Sequence, residues 1–291
     1  MKRKSFLTAL GLLPIFPTMK LNELNKLTSA FSSTPTMPAL FVGHGNPMNA
    51  ITDNEYGHAW QQLGKTLPKP NAVLCISAHW ETKGTFVTAM QKPKTIHDFG
   101  GFPKALFDVQ YPAPGSEELA KETKAGITKT NIEFDYDWGL DHGSWSVLKH
   151  IYPNADVPVV EMSLDNRQSP QWHFELAKEL AALRNKGILI VGSGNMVHNL
   201  RAVDFNMAGG FDWAIEANET MKKLIAERDF KSLADYRSLG RAVQLAVPTP
   251  EHYLPLLYAL GLAGQNESIS LFNDKAEIGS ITMTSLLIGK N

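Results

Sequence analysis

Apolar positions along the chain follow two rhythms. Short, mostly apolar blocks occur at Ala39–Val42, Ala72–Ser77, Val157–Leu164 and Ile188–Val191. Blocks this short, rich in β-branched residues and bounded by turn formers, read as strands buried on both faces. Longer stretches repeat their apolar residues every three or four positions, as helices do. Asn54–Leu67 is one. Trp172–Lys186 is another, with Leu176, Leu180 and Leu183 on one face before a stop at Gly187. Ser116 should cap a helix running to Gly126, with Glu117 and Glu118 favourably placed in its first turn. Phe211–Arg228 and Leu233–Leu239 also read as helices, and Thr85–Met90, Ser268–Phe272 and Ile278–Ile288 as strands. Thr249 at the cap and Pro250 in the first turn should start a helix that passes Leu256 and Leu260 to Gly261. Strand–helix alternation of this kind predicts a single α/β domain. Its central sheet should be mostly parallel or mixed and flanked by helices.

Composition narrows the class. The chain has 291 residues, 43% of them hydrophobic and 20% charged, and a formal net charge of -1. No basic block follows the first few residues, which argues against a nucleic-acid partner. Cys75 is the single cysteine, so no internal disulfide can form, and its apolar surroundings predict a buried, inert thiol.

Residues 1–36 differ from the rest. Lys2-Arg3-Lys4 is followed by the mostly apolar stretch Phe6–Phe16 and then by Ser/Thr-rich sequence to Thr36. That is the layout of an export signal, and it is too short to span a membrane. Arg3-Lys4-Ser5-Phe6-Leu7 resembles a twin-arginine signal with lysine in place of one arginine. Two readings follow: an export segment leading to the periplasm, or a flexible N-terminal arm on a cytoplasmic protein. Residues 37–291 then form one folded domain.

The candidate chemistry lies in the histidines, of which there are nine. His44, His79 and His198 each follow an apolar strand and stand among glycine, serine or alanine. In open α/β sheets, ligands bind beyond the carboxyl ends of the strands. If the three strands are parallel, the three imidazoles meet in one crevice at those ends, and imidazoles suit Zn, Fe, Cu or Ni. The glycines of Gly192-Ser193-Gly194 should let the backbone turn sharply before His198. His252 is a fourth candidate, and Glu251 beside it competes as a ligand. Two histidines and a carboxylate would be the facial triad of non-haem Fe(II) oxygenases; three histidines with an open position would be equally a catalytic zinc. His142, in Asp141-His142-Gly143-Ser144-Trp145, reads either as a substrate-binding residue or as a loop histidine hydrogen-bonded to Asp141. His97 has a weaker claim, and His58, His150 and His173 lie in ordinary helical contexts. Gly192-x-Gly194 lacks the third glycine of a dinucleotide fingerprint, there is no P-loop, and Val191 breaks a Gly-x-Ser-x-Gly elbow at Ser193.

Six motifs together resemble the class III extradiol ring-cleavage dioxygenases of the LigB type, in their DOPA 4,5-dioxygenase-like branch. They are Gly43–Met48, Ser77–Trp80, Thr95–Pro103, Asp141–Trp145, Ser193–Leu200 and Pro248–Pro255. The resemblance implies one α/β domain holding one divalent metal, Fe(II) for activity and zinc often in isolated proteins. It implies that His44, His79 and His252 ligate the metal. His198 would be the acid/base histidine and a fourth ligand when zinc is bound, and His142 would line the substrate and oxygen pocket. Glutamate fills the position of His252 in the broader family, which keeps Glu251 in contention. The implied substrates are a catechol and O2, opened beside the hydroxyls to a semialdehyde. A zinc-dependent hydrolase and a non-catalytic, Memo-like metal-binding protein are the rival readings.

Overall fold

The computed structural model describes residues 31–289. The export-signal reading covers residues 1–36, of which 1–30 lie outside the described residues. The last residues of that N-terminal segment are held on the domain: the Thr34 amide donates to the Asn185 carbonyl at 2.8 Å, and the Thr36 hydroxyl to the Asn185 side chain at 2.6 Å.

The strands, in chain order, are β1 (Ala39–Gly43), β2 (Ala72–Thr82), β3 (Thr85–Thr88), β4 (Ile132–Asp135), β5 (Val159–Asp165), β6 (Ile188–Gly194), β7 (Ile269–Phe272), β8 (Ala276–Glu277), β9 (Ile281–Thr282) and β10 (Ser285–Ile288). The helices are α1 (Glu55–Thr66), α2 (Lys104–Phe107), α3 (Glu117–Gly126), α4 (His142–Ile151), α5 (Pro170–Glu179), α6 (Ala181–Arg184), α7 (Asp212–Ala226), α8 (Phe230–Ala234), α9 (Arg241–Ala246) and α10 (Leu254–Gly261).

Eight strands form one mixed sheet in the order β4-β3-β5-β2-β6-β1-β10-β7. The central run β5-β2-β6-β1 is parallel throughout, and β10 and β7 add antiparallel strands at one side. β1, β5 and β6 are buried along their whole length. The alternation explains why their sequences are apolar at nearly every position. Phe41, Leu74 and Ile190 face one core with α5, α7 and α10, while Leu40, Val73, Cys75 and Leu189 face another with α1 and α4. Each such side chain, fully buried, contributes roughly 1.5–3 kcal/mol. Cys75 is buried as expected, and burial pushes its thiol well above the ordinary range.

Several helix starts follow their caps. The Asn54 side chain accepts from the Gly57 amide at 2.9 Å, and Ser116 from Leu119 at 3.0 Å. Other boundaries differ. The helix expected over Trp172–Lys186 begins earlier, at Pro170 behind the Ser169 cap, and breaks at Leu180 into α5 and α6. The helix expected from Pro250 begins only at Leu254: the Thr249 hydroxyl binds the Glu251 carboxylate at 2.9 Å instead of capping, and Pro255 takes the first turn, where its missing N–H costs nothing. The last expected strand is split into β9 and β10, after Ile278 and Gly279 adopt left-handed φ of 44° and 80°. His79 lies within β2, whose pairing with β5 is irregular between Ile76 and Glu81.

Candidate metal centre

Because β2, β6 and β1 are adjacent and parallel, their carboxyl ends lie side by side. His44 follows β1 directly, His79 sits on the irregular stretch of β2, and His198 comes four residues after β6. His252 arrives from the turn before α10, and His142 opens α4. The glycines of β6 serve close approach; they stay in the strand rather than turning it sharply. A Cβ on Gly194 would lie 2.2 Å from the His252 carbonyl, which accepts instead from the Asn195 amide at 2.8 Å. The 252–255 segment therefore rests directly on β6. On the other side, a Cβ on Gly143 would strike the Ser77 hydroxyl at 2.5 Å and the His79 ring at 2.9 Å, so α4 too can approach only through glycine.

Five imidazoles converge. Ring centroids are 5.0 Å apart for His44 and His79, 5.4 Å for His44 and His252, 5.0 Å for His79 and His252, and 3.9 Å for His79 and His142. His198 stacks on His252 at 3.4 Å and 7°. Ligand atoms of His44, His79 and His142 all lie within 4.8 Å of one another, as do those of His198, Glu251 and His252.

The partners of the ring nitrogens give the cluster its chemistry. The Ser193 hydroxyl donates to the Gly143 carbonyl at 2.5 Å, so it can only accept from His44 Nδ1, 3.0 Å away. His79 Nδ1 lies 3.2 Å from Asp98 Oδ2, and His142 Nδ1 3.0 Å from Asp98 Oδ1. His252 Nδ1 lies 3.3 Å from Glu251 Oε1. For His44, His79 and His252 an acceptor lies at Nδ1, which assigns the proton there and leaves the Nε2 lone pair free; His142 Nδ1 lies close to Asp98 but makes no hydrogen bond. The consequence is sharpest between His44 and His79, whose Nε2 atoms stand 3.1 Å apart. Two lone pairs at that separation repel, and a cation shared between them turns the contact into ligation. The residues present therefore fit a metal.

Protonation states agree. Burial first, then neighbouring imidazoles, hold His44 and His252 well below the usual range. Burial lowers His79 to about 3 against the pull of Asp98, and lowers His198 to about 4. All four are neutral at pH 7, the form in which imidazole ligates or accepts a proton. The Asp98 carboxyl, although partly desolvated, is held at about 2 by His142 and His79.

Two expectations change here. His142 does not bond to the Asp141 carboxylate. It is the first residue of α4, Asp141 caps that helix through the Ser144 amide at 3.2 Å, and both the backbone and the ring of His142 turn to Asp98. His97 faces away, with Nε2 2.9 Å from the Val109 carbonyl. Sequence reasoning gave no role to Asp98, the carboxylate shared by two rings of the cluster. The only local signal was its place beside glycines and aromatics in an otherwise polar loop. A buried network underlies it: Ser77 donates to Asp141 Oδ1 at 2.6 Å, Ser144 donates to Glu161, and burial next to Asp141 drives the Glu161 carboxyl well above its ordinary range.

The cluster opens into a cleft of ≈ 300 Å³. Among the described residues, no helix is long and apolar enough to cross a membrane.

Comparison with known proteins places this site. Residues 35–286 match the model of the catalytic LigB subunit of aromatic ring-opening dioxygenase. A 4,5-DOPA dioxygenase extradiol of Escherichia coli K12 is 47% identical over 265 residues, covering 88% of this chain and 96% of the relative. One from Beta vulgaris is 34% identical over 252 residues, covering 84% and 94%. The crystal structure of an uncharacterised Escherichia coli K12 protein superposes with a TM-score of 0.76 at 43% identity, covering 87% of this chain and all of that one. The rival hydrolase and Memo-like readings are not favoured by any of these. With its histidine cluster at the carboxyl ends of a parallel sheet core, the chain belongs to the LigB family of aromatic ring-opening dioxygenases and is an extradiol ring-cleaving enzyme.

Proposed function

We propose that the enzyme cleaves a ring-substituted catechol, the class of which DOPA is an example, with O2, using one Fe(II) held by His44, His79 and His252. Relatives that carry the name 4,5-DOPA dioxygenase extradiol support the substrate class. The observation that carries the ligand set is where the acceptors lie: Ser193, Asp98 and Glu251 stand 3.0, 3.2 and 3.3 Å from Nδ1 of His44, His79 and His252, an arrangement that favours the proton at Nδ1 and a free lone pair at Nε2. Glu251 is then the group that orients His252 rather than a ligand itself.

A bound Fe(II) would supply Lewis-acid anchoring of both catechol oxygens and a route for electrons to O2. The chain's own residues do the rest. His198, neutral and stacked on His252, takes the second catechol proton and returns it as the ring opens. Its stacked position also lets it become a fourth ligand when zinc fills the site. His142, fixed by Asp98, lines the pocket for substrate and oxygen. Phe99 packs edge-on to His142 at 5.4 Å and narrows the space left for water.

The test is oxygen uptake by protein loaded anaerobically with Fe(II), read with a catechol panel and the yellow ring-opened product. Uptake matched to product supports the assignment. A zinc hydrolase would consume no oxygen, and a metal-binding protein without catalysis would form no product. His198→Ala should retain iron but lose turnover; loss of the iron would make His198 chiefly a ligand. For residues 1–36, an export segment is proposed, and sequencing the mature N-terminus from cell fractions tests it.

A further inference from the structure

Beyond the histidines and Asp98 the cleft is mostly apolar, with Asn46 as its one other polar side chain. Besides Asp98 and the imidazoles, its lining includes no acidic side chain and no lysine or arginine. Both Asp98 oxygens are already committed, to His79 and His142. Three segments supply the apolar surface. The 95–103 loop gives Phe99 and Phe102, in edge contact at 5.4 Å. The segment after His198 gives Leu200 and Phe205, and the approach to β9 gives Ile278 and Ile281.

Two features make this surface more than leftover wall. Leu200 and Phe205 are 68% and 78% exposed, which puts two large apolar groups in water at the mouth of the cleft. Exposed apolar surface that continues into a cleft marks a binding surface. They are also held in place. The Asn199, Asp204 and Phe211 amides donate to the carbonyls of Ser280, Ile278 and Gly279 at 3.1, 2.9 and 2.7 Å, so the segment is laced to the cleft floor. On that floor Ile278 has φ 44°, a conformation that a β-branched side chain strongly disfavours and glycine or asparagine would accept. Backbone strain of this kind persists where the surrounding structure needs it, and it collects at ligand sites.

We infer that the favoured substrate is a catechol whose ring substituent is uncharged and apolar, seated on Phe99, Phe102, Leu200, Phe205, Ile278 and Ile281. The inference rests on the catechol reading and sharpens it. The carboxylate of a DOPA side chain would enter a lining with no cation to meet it, whereas an alkyl or aryl substituent would cover the exposed mouth. Arg201 follows Leu200 in sequence but is not part of the lining.

The experiment measures kcat/KM by oxygen uptake on the full chain loaded with Fe(II). The probes are catechol, 4-methylcatechol, 4-butylcatechol, DOPA and 3-(3,4-dihydroxyphenyl)propionate. The value should rise about twofold to fourfold per added methylene. Both carboxylates should fall about tenfold or more below 4-butylcatechol. A carboxylated catechol that equals or exceeds 4-butylcatechol overturns the inference, the more firmly if Arg201→Ala abolishes that preference. No uptake with any catechol overturns the ring-cleavage reading itself, a separate result. In Phe205→Ser and in Ile278→Asn, the ratio of 4-butylcatechol to catechol should fall about fivefold or more. Phe205 is exposed and asparagine tolerates left-handed φ, so neither change should lower thermal stability appreciably. An unchanged ratio in both folded variants also overturns the inference.

Discussion

His173 and the five-histidine cluster make an instructive pair. Both are buried imidazole sites. Burial holds His173 at about 4, much as it lowers the cluster. Yet His173 is satisfied on both nitrogens, Nδ1 by the Tyr258 hydroxyl at 3.0 Å and Nε2 by the Asp165 carbonyl at 3.2 Å. In the cluster, His44, His79 and His252 have acceptors only at their outer nitrogens, and the Nε2 atoms of His44 and His79 face one another. A buried polar group with every partner in place is a structural tie. A set of buried donors left pointing at a common centre is complete only with a ligand there. Burial and lowered basicity are shared, so neither separates structure from function; the count of satisfied nitrogens does.

Breaking each side should give opposite signatures. The largest effect is expected for His79→Ala: metal stoichiometry should collapse and turnover fall on the order of 10^3-fold or more, with folding of the apoprotein retained. Metal analysis beside oxygen uptake checks this, and a variant that kept both would sink the ligand assignment. His173→Ala should do the reverse. It should cost about 2–4 kcal/mol of stability through the cavity and the orphaned Tyr258 hydroxyl, with metal content intact.

Acid should expose the same residue. The unfolded chain binds the His173 proton near 6.5 and the folded chain only near 4, so the unfolded state holds more protons between those values. Stability is therefore full above pH 6.5 and falls as pH drops toward 4, by up to ~3 kcal/mol from this group. Denaturant midpoints across that range should show the slope, and His173→Phe should reduce it by this group's share, leaving the share of the buried cluster histidines.

Metal removal comes next in size. A metal at one hundred times its Kd adds about 2.7 kcal/mol to the folded state. Chelation should lower the melting temperature of the parent protein and leave His79→Ala unmoved; equal shifts in both would mean binding elsewhere. The smallest effect is assigned to Asp98→Asn, which keeps the shape but loses the charge beside His79 and His142. Metal affinity should weaken about 10–100-fold. A competition titration would show it.

Much of this was legible in the residues. The apolar blocks gave the central strands because period-2 burial on two faces leaves few polar positions, as β1 and β6 show. His44, His79 and His198 could be singled out because a histidine after a buried strand stands at an edge where ligands bind. Boundaries near the site were harder. Thr249 and Pro250 carry the local signals of a helix start, yet the Thr249 hydroxyl binds Glu251 and the chain turns first to lay His252 on Gly194. Ile278 looked like strand and instead bends through left-handed φ, because the 199–211 segment is hydrogen-bonded across it.

By itself the sequence determined the central strands, the Ser116 helix cap and the histidines that the sheet would deliver, since those follow from short-range periodicity and turn chemistry. Tertiary structure decided which nitrogen of each ring is free. That choice rests on Ser193 for His44, Asp98 for His79 and Glu251 for His252; the first is 149 residues away and the second comes from another loop. It also decided that the cleft mouth is apolar, because Phe99, Leu200 and Ile278 meet only when three separate segments pack together. A lone pair's direction and a pocket's polarity are properties of neighbours in space, and the order of residues along the chain does not contain them.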